Sequence, residues 1–355
     1  MRSVVVRNAT SRMRTVLTVA VAVIFLPTPL SIRAAFVSVG AAQAPMSDGA
    51  NFVGTYRLVT TEVKDAADIE WVQNPNFNSV GYITYAATGH MGVHIMPRNR
   101  ARFAPGLDLG LGRSNPSTGE EAQAALRGYR AYFGSFTIDD KSKFVVHHRL
   151  GQINPRGVVD AKRFYDFVGD RLVLTPAPAD GSGKEQATRR LVWERLPNAP
   201  LSVEARKFVG FYKLLYTDRY REKDGQEVFH GEKNYERAGT SYIIYTPTGH
   251  MMVHLMHKER RTQYAGAQPT PDEALQAFLT YSGYFGRFTT YENYSPPFIM
   301  HNQQGTTRPG RNVDATKRFY QFTENILRLG GPPRLNEVGE MAGGHLYWEK
   351  LLPIR

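Results

Sequence analysis

Cysteine is absent from all 355 residues. That removes disulfides, thiolate nucleophiles and zinc–thiolate sites together. A Gly-x-Ser-x-Gly nucleophile elbow, a phosphate-binding loop and a dinucleotide fingerprint are also missing. Paired acids are scarce. Glu120-Glu121 and Asp139-Asp140 stand at a helix start and in a turn, where solvated charge is the ordinary role. Basic residues are scattered, and no run of them forms a stripe suited to nucleic acid, so no nucleic-acid partner is expected. With no dedicated metal or nucleotide motif, no cofactor and no metal are expected either.

Acidic residues are wanting altogether before Asp48. The same segment holds Arg2, Arg7, Arg12 and Arg14 ahead of an apolar run over residues 16–26, then small residues at Gly40-Ala41-Ala42-Gln43-Ala44. This order is that of a secretory signal, predicted over residues 1–44 with cleavage after Ala42 or Ala44. Pro27 and Pro29 end the run too soon for a comfortable membrane span, so no span is expected after cleavage. A periplasmic or secreted protein follows. The formal charge of +12 includes five arginines of this segment, which leaves +7 on the remainder. An exported chain without disulfides must rely on packed cores.

What the chain does have is a long repeat. Thr88-Gly89-His90-Met91-Gly92-Val93-His94-Ile95-Met96 returns as Thr248-Gly249-His250-Met251-Met252-Val253-His254-Leu255-Met256. Other segments match in the same order, among them Tyr132-Phe133-Gly134 with Tyr284-Phe285-Gly286, and Lys162-Arg163-Phe164-Tyr165 with Lys317-Arg318-Phe319-Tyr320. Trp193-Glu194 matches Trp348-Glu349. A period near 155 residues is far too long for a solenoid unit and suits two copies of one domain, over 51–197 and 207–353.

Each copy reads as mainly β. Residues 56–63, 81–86 and 90–96 are rich in alternating Tyr, Ile, Val and Thr, with a glycine turn at Thr88-Gly89. Strands are also predicted over 136–139, 144–150, 162–168, 171–175 and 190–195. One helix is predicted per copy. In the second it starts at a Thr270 N-cap followed by Pro271 and two acids; in the first it spans 118–131. Eight short strands and one helix suggest a small closed antiparallel barrel with a helical plug or lid.

The order Phe-x-Gly-x-Tyr, Gly-Tyr-Ile-x-Tyr-x-x-x-Gly-His-Met, Tyr-Phe-Gly-x-Phe, Val-x-His-His, Arg-Phe-Tyr, Val-Trp-Glu-Arg resembles the bacterial and fungal lipocalin-like domain family. The likeness covers nearly all of copy one and, more loosely, copy two. It implies two tandem lipocalin-like antiparallel β-barrels, each with an internal ligand cavity, and no defined reaction. Tandem copies behind a signal depart from the usual single domain. Asn302 in copy two replaces His148.

His90 and His94 lie four apart. On a strand their rings start about 13 Å apart, which bars one metal ion from both; a metal on one of them with His147 is the alternative left open. Alternation puts His90, Gly92, His94 and Met96 on one face, and His250, Met252, His254 and Met256 on the matching face of copy two. Turned inward, these faces would line a cavity with imidazole and soft thioether groups. Turned outward, they meet solvent or a neighbouring strand. Of His147-His148 only one can face the lumen, and the match to His301 selects His147. Arg163 and Tyr165 share a face, as do Arg318 and Tyr320, and could hold a carboxylate or enolate. Tyr85 and Tyr245 complete the ligand-binding set. The two tryptophans are assigned to packing.

The sequence leaves three functions open. In the first, a barrel binds a small, largely hydrophobic molecule. In the second, the protein is an isomerase, cyclase or hydratase without cofactor acting on a hydrophobic metabolite, in which His90, His94 or His147 moves protons and Arg163 or Tyr165 stabilises an oxyanion. In the third, one barrel is purely structural. Copy two, with extra loops at 221–237 and 332–344, is the more passive half.

Overall fold

The computed structural model describes residues 48–353 apart from 65–69, 104–117, 156–158, 180, 182, 258, 260 and 310–314. The export signal expected over residues 1–44 lies outside the described residues. No helix among those described is long and apolar enough to cross a membrane.

Copy one runs α1 (Asp48–Phe52), β1 (Gly54–Val63), β2 (Val72–Gln73), β3 (Ser79–Tyr85), β4 (His90–Pro97), α2 (Gly119–Leu126), β5 (Arg130–Asp139), β6 (Phe144–Gln152), β7 (Asp160–Val168), β8 (Arg171–Pro176) and β9 (Arg189–Arg195). Copy two runs α3 (Val203–Phe208), β10 (Gly210–Lys223), β11 (Gln226–Phe229), β12 (Tyr242–Tyr245), β13 (His250–Met256), α4 (Pro271–Leu279), β14 (Tyr281–Tyr291), β15 (Phe298–Thr306), β16 (Thr316–Thr323), β17 (Ile326–Gly330), β18 (Arg334–Leu335) and β19 (Met341–Lys350). Neighbours pair antiparallel throughout. Pairing of β1 with β9, and of β10 with β19, closes each sheet into an eight-stranded barrel, with β2, β11 and β18 as short additions. Closure pairs both sides of all eight main strands of each barrel, and only the short additions keep a free edge among the described residues.

Local chemistry explains the elements. Gly89 and Gly249 take left-handed φ of 73° and 74° at the tight turns before β4 and β13. Thr270 and Glu273 form a reciprocal capping box at α4, with Pro271 in its first turn. The helix expected over 118–131 stops at Leu126. Gly128 turns the chain with φ 73°, and Ala131 and Phe133 then alternate as strand. The segment 221–237, expected as loop, instead carries β10 into a hairpin with β11. Asp224-Gly225, both at positive φ, make the turn.

The helix that closes each barrel is not the predicted one. Short α1 and α3 seal one end, through Phe52 and Phe208, both fully buried. Phe52 packs edge-on against Tyr85, Tyr165 and Phe167, and Phe208 against Tyr245, Tyr320 and Phe322. Tyr165 donates to Asp48 (2.7 Å) and Tyr320 to Glu204 (3.1 Å), which fastens the seals. By contrast α2 and α4 pack on each other between the barrels, through Ala122, Ala125, Ala274 and Ala277.

Three buried apolar clusters result among the described residues. One lies inside each barrel, and the third lies between them. This third cluster is reciprocal. Tyr82 lies against His250 and Tyr242 against His90, and Phe133 meets His254 as Phe285 meets His94. Arg100, beyond β4, donates to the carbonyls of Thr306 and Thr307. Arg261, beyond β13, donates to those of Gln152 and Ile153. The two copies meet through the same surface, as in a two-fold dimer joined into one chain.

Candidate functional site

Alternation along β4 turns Met91 and Val93 into barrel 1, and along β6 it turns Val145, His147 and Arg149 inward. A bulge sets Gly134 opposite Arg149 while Phe133 pairs with Gly151. Leu150 is left over and exposed, and Arg149 keeps the inward face. These strands enclose a cavity of about 700 Å³ whose mouth lies at the end opposite α1. Its walls are mostly apolar, with Leu58, Ile83, Ile95, Leu174, Leu191 and Trp193 among them. This volume falls within the range of small-molecule sites.

His147 is the cavity's buried polar centre, fully shielded from solvent. Its Nε2 meets the Tyr85 hydroxyl at 2.7 Å and its Nδ1 the Tyr132 hydroxyl at 3.0 Å. Burial holds its pKa well below the usual histidine value, and the positive charges of Arg163 and Arg149 push the same way. The neutral ring has one N–H, so one tyrosine donates to it and the other accepts. One hydroxyl therefore keeps its own proton for another acceptor. Tyr85 lies toward the sealed end against Phe52, whereas Tyr132 lines the cavity. The Trp193 indole N–H, buried in the cavity wall, has no acceptor.

Barrel 2 repeats this centre. His301 bonds Tyr245 (2.8 Å) and Tyr284 (2.9 Å), and its pKa is lowered by burial and then by Arg318. Gln303 stands where barrel 1 has Arg149, opposite Gly286 as Arg149 is opposite Gly134.

The residues singled out in the sequence therefore part into three groups. Tyr85, His147 and Arg163 converge on barrel 1's interior, and Tyr245, His301 and Arg318 on that of barrel 2. Tyr165 and Tyr320 share the inward face of their arginines but lie deeper, bonded to the sealing helices. His94, His250 and His254 reach neither lumen nor open solvent, and His90, also outside the lumen, is half-buried. Their face is covered by the other barrel, and the opposite face, with Met91 and Val93 or Met251 and Val253, lines the interior. His94 and His254 stack at 4.3 Å between ring centres with a 17° interplanar angle. The Nδ1 of each meets a tyrosine hydroxyl, Tyr129 at 3.0 Å and Tyr281 at 2.6 Å, and the His254 Nε2 has no hydrogen-bond partner. His148 points outward to Asp160 and Thr137.

Sequence reasoning passed over Arg130, Arg149 and Arg189, which line the same cavity. For Arg149 a signal existed, because position i+2 from His147 shares its face. The reciprocal pair Arg100 and Arg261 also passed unnoticed, though it recurs beyond the same strand in both copies.

A closed barrel with a polar-centred interior cavity defines a small-molecule-binding β-barrel class. Sequence comparison gives the family: the lipocalin-like domain matches at residues 53–196 and again at 210–351, and the chain belongs to that family as a tandem pair. No curated protein matches. Among solved structures, one of a protein of unknown function from the DUF3598 family of Nostoc punctiforme is 8% identical, with a TM-score of 0.22, covering 86% of this chain and 98% of its own. The di-domain ARO/CYC StfQ of the steffimycin biosynthetic pathway is 10% identical, with a TM-score of 0.13, covering 86% and 78%. At those scores neither likeness bears on what this chain does.

Proposed function

We propose that the protein is an exported binder that holds a small, largely hydrophobic molecule inside barrel 1. The cavity of about 700 Å³, apolar in its walls with His147 and Tyr132 at its centre, carries this reading. Export rests on the arginine-led apolar pattern of residues 1–44. Proton transfer by an imidazole is less well supported. His90 and His94 lie outside the lumen, and both nitrogens of His147 already have tyrosine partners.

The test is fluorescence titration with the neutral probe N-phenyl-1-naphthylamine. Saturable binding is expected, to be lost in Ile95→Trp, which fills the barrel 1 cavity, and kept in Leu255→Trp, the matching change in barrel 2. Binding that survives Ile95→Trp, or none in the unaltered protein, refutes the assignment.

A further inference from the structure

The chain of hydrogen bonds Tyr85–His147–Tyr132 has a direction, and its sealed end fixes it. Burial keeps His147 neutral, so its ring carries one N–H. Two arrangements then satisfy both ring nitrogens. In one, Tyr132 donates to Nδ1 and the Nε2–H donates to Tyr85, which leaves Tyr85 with a proton to place. In the other, Tyr85 donates to Nε2 and the Nδ1–H donates to Tyr132, which leaves Tyr132 with a proton to place.

The two hydroxyls are unequally placed for this. Tyr85 is fully buried, with the rings of Phe52, Tyr56 and Phe136 around it. Among the described residues its hydroxyl has one hydrogen-bond partner, His147 Nε2 at 2.7 Å. A spare proton there would sit in a dry aromatic pocket, the costly outcome for a hydroxyl. Tyr132 is only partly buried and lines the cavity, where a bound molecule can accept its proton. The Arg149 guanidinium lies 4.6 Å from its ring centre and steadies the ring. The order of donors therefore runs from Tyr85 through His147 to Tyr132 and out into the cavity. Barrel 2 repeats the sealed end. Tyr245 is fully buried among the rings of Phe208, Tyr212 and Phe288, and its hydroxyl meets His301 Nε2 at 2.8 Å.

We propose that barrel 1 selects a hydrophobic molecule whose polar end is an uncharged carbonyl group, which accepts a hydrogen bond from the Tyr132 hydroxyl, with Tyr85 and His147 as the positioning residues that aim this proton. This rests on the binding reading above and adds the chemistry of the ligand's polar end. A chain of donors fixed from its sealed end presents an O–H to the cavity at all times. A carbonyl compound thereby gains a bond that a hydrocarbon of similar shape cannot make.

Two measurements test it. Long-range 1H–15N NMR of the unaltered protein reads the tautomer directly, with the His147 signals assigned by their contacts to the Tyr85 and Tyr132 rings. The proton is expected on Nδ1; a proton on Nε2 overturns the proposal. In Tyr85→Phe nothing holds Nε2 as an acceptor, so the Nε2–H form should appear, and a tautomer that does not respond overturns the positioning role. The second measurement is displacement of N-phenyl-1-naphthylamine by hexanophenone and by hexylbenzene. Tyr132→Phe should weaken hexanophenone about fivefold, the size of one neutral hydrogen bond. It should leave hexylbenzene unchanged, and that unchanged affinity also shows that the variant is folded. Equal weakening of both compounds, or of neither, overturns the carbonyl assignment while leaving a binding cavity. Failure of both compounds to displace the probe from the unaltered protein overturns the cavity reading and this one together.

Discussion

Lowering the pH from about 8 to about 5 should destabilise this fold, and the stacked His94–His254 pair sets a minimum size for the effect. Burial holds His94 at a pKa of about 3, whereas a histidine in the unfolded chain titrates near 6.5. The folded value is depressed, so the native state has its full stability above about pH 6.5. It loses stability as the pH falls below that value, because the unfolded chain takes up a proton that the folded one refuses until the pH nears 3. Linkage puts the loss from His94 alone at ~2 kcal/mol at pH 5 and ~3 kcal/mol at pH 4. His254, lowered by burial and by His94 beside it, acts in the same direction, as do His147 and His301. Native stability is typically ~5–15 kcal/mol, so the effect is measurable by urea unfolding at the two pH values. His94→Phe separates the causes. It keeps a flat ring on His254 but leaves the Tyr129 hydroxyl without a partner, a cost of about 1–3 kcal/mol at every pH. It should also remove ~2 kcal/mol from the difference between pH 8 and pH 5. A variant whose acid-induced loss equals that of the unaltered protein would refute the reasoning.

Two further outcomes bear on the architecture. Gly134→Ala sets a Cβ 1.8 Å from the His148 carbonyl oxygen, which belongs to the paired strand and has no flexible end to yield; a loss of roughly 3 kcal/mol or more is expected in thermal unfolding, and a stable variant contradicts the close β5–β6 approach. Arg100→Ala removes hydrogen bonds to Ala125 and across to Thr306 and Thr307, and Arg261→Ala removes those to Gln152 and Ile153. Each should cost about 2–4 kcal/mol, and calorimetry of the double variant should show the barrels melting in two steps; a single unshifted transition counts against the clamp.

The repeat made the tandem architecture legible, because two matching copies separated by a domain's length admit few other arrangements. Residue type and alternation placed β3 and β4 and their turn, and the Thr270 N-cap with Pro271 and two acids behind it fixed where α4 begins. The sealing helices escaped notice. With five and six residues, α1 and α3 are too short to show a helical period, and their fit depends on the ring pockets of Tyr85 with Tyr165 and of Tyr245 with Tyr320.

By itself the sequence determined which side chains share a face: His90 with His94, His147 with Arg149, Arg163 with Tyr165. It did so because the strand period is two whatever the surroundings. Only the tertiary structure decided where each face looks. Both faces of β4 are buried, one in a barrel and one against the other barrel, so polarity along the strand could not tell inside from between. Arg130, Arg149, Arg163 and Arg189 come from four different strands, and closure of the sheet is what brings them around one cavity.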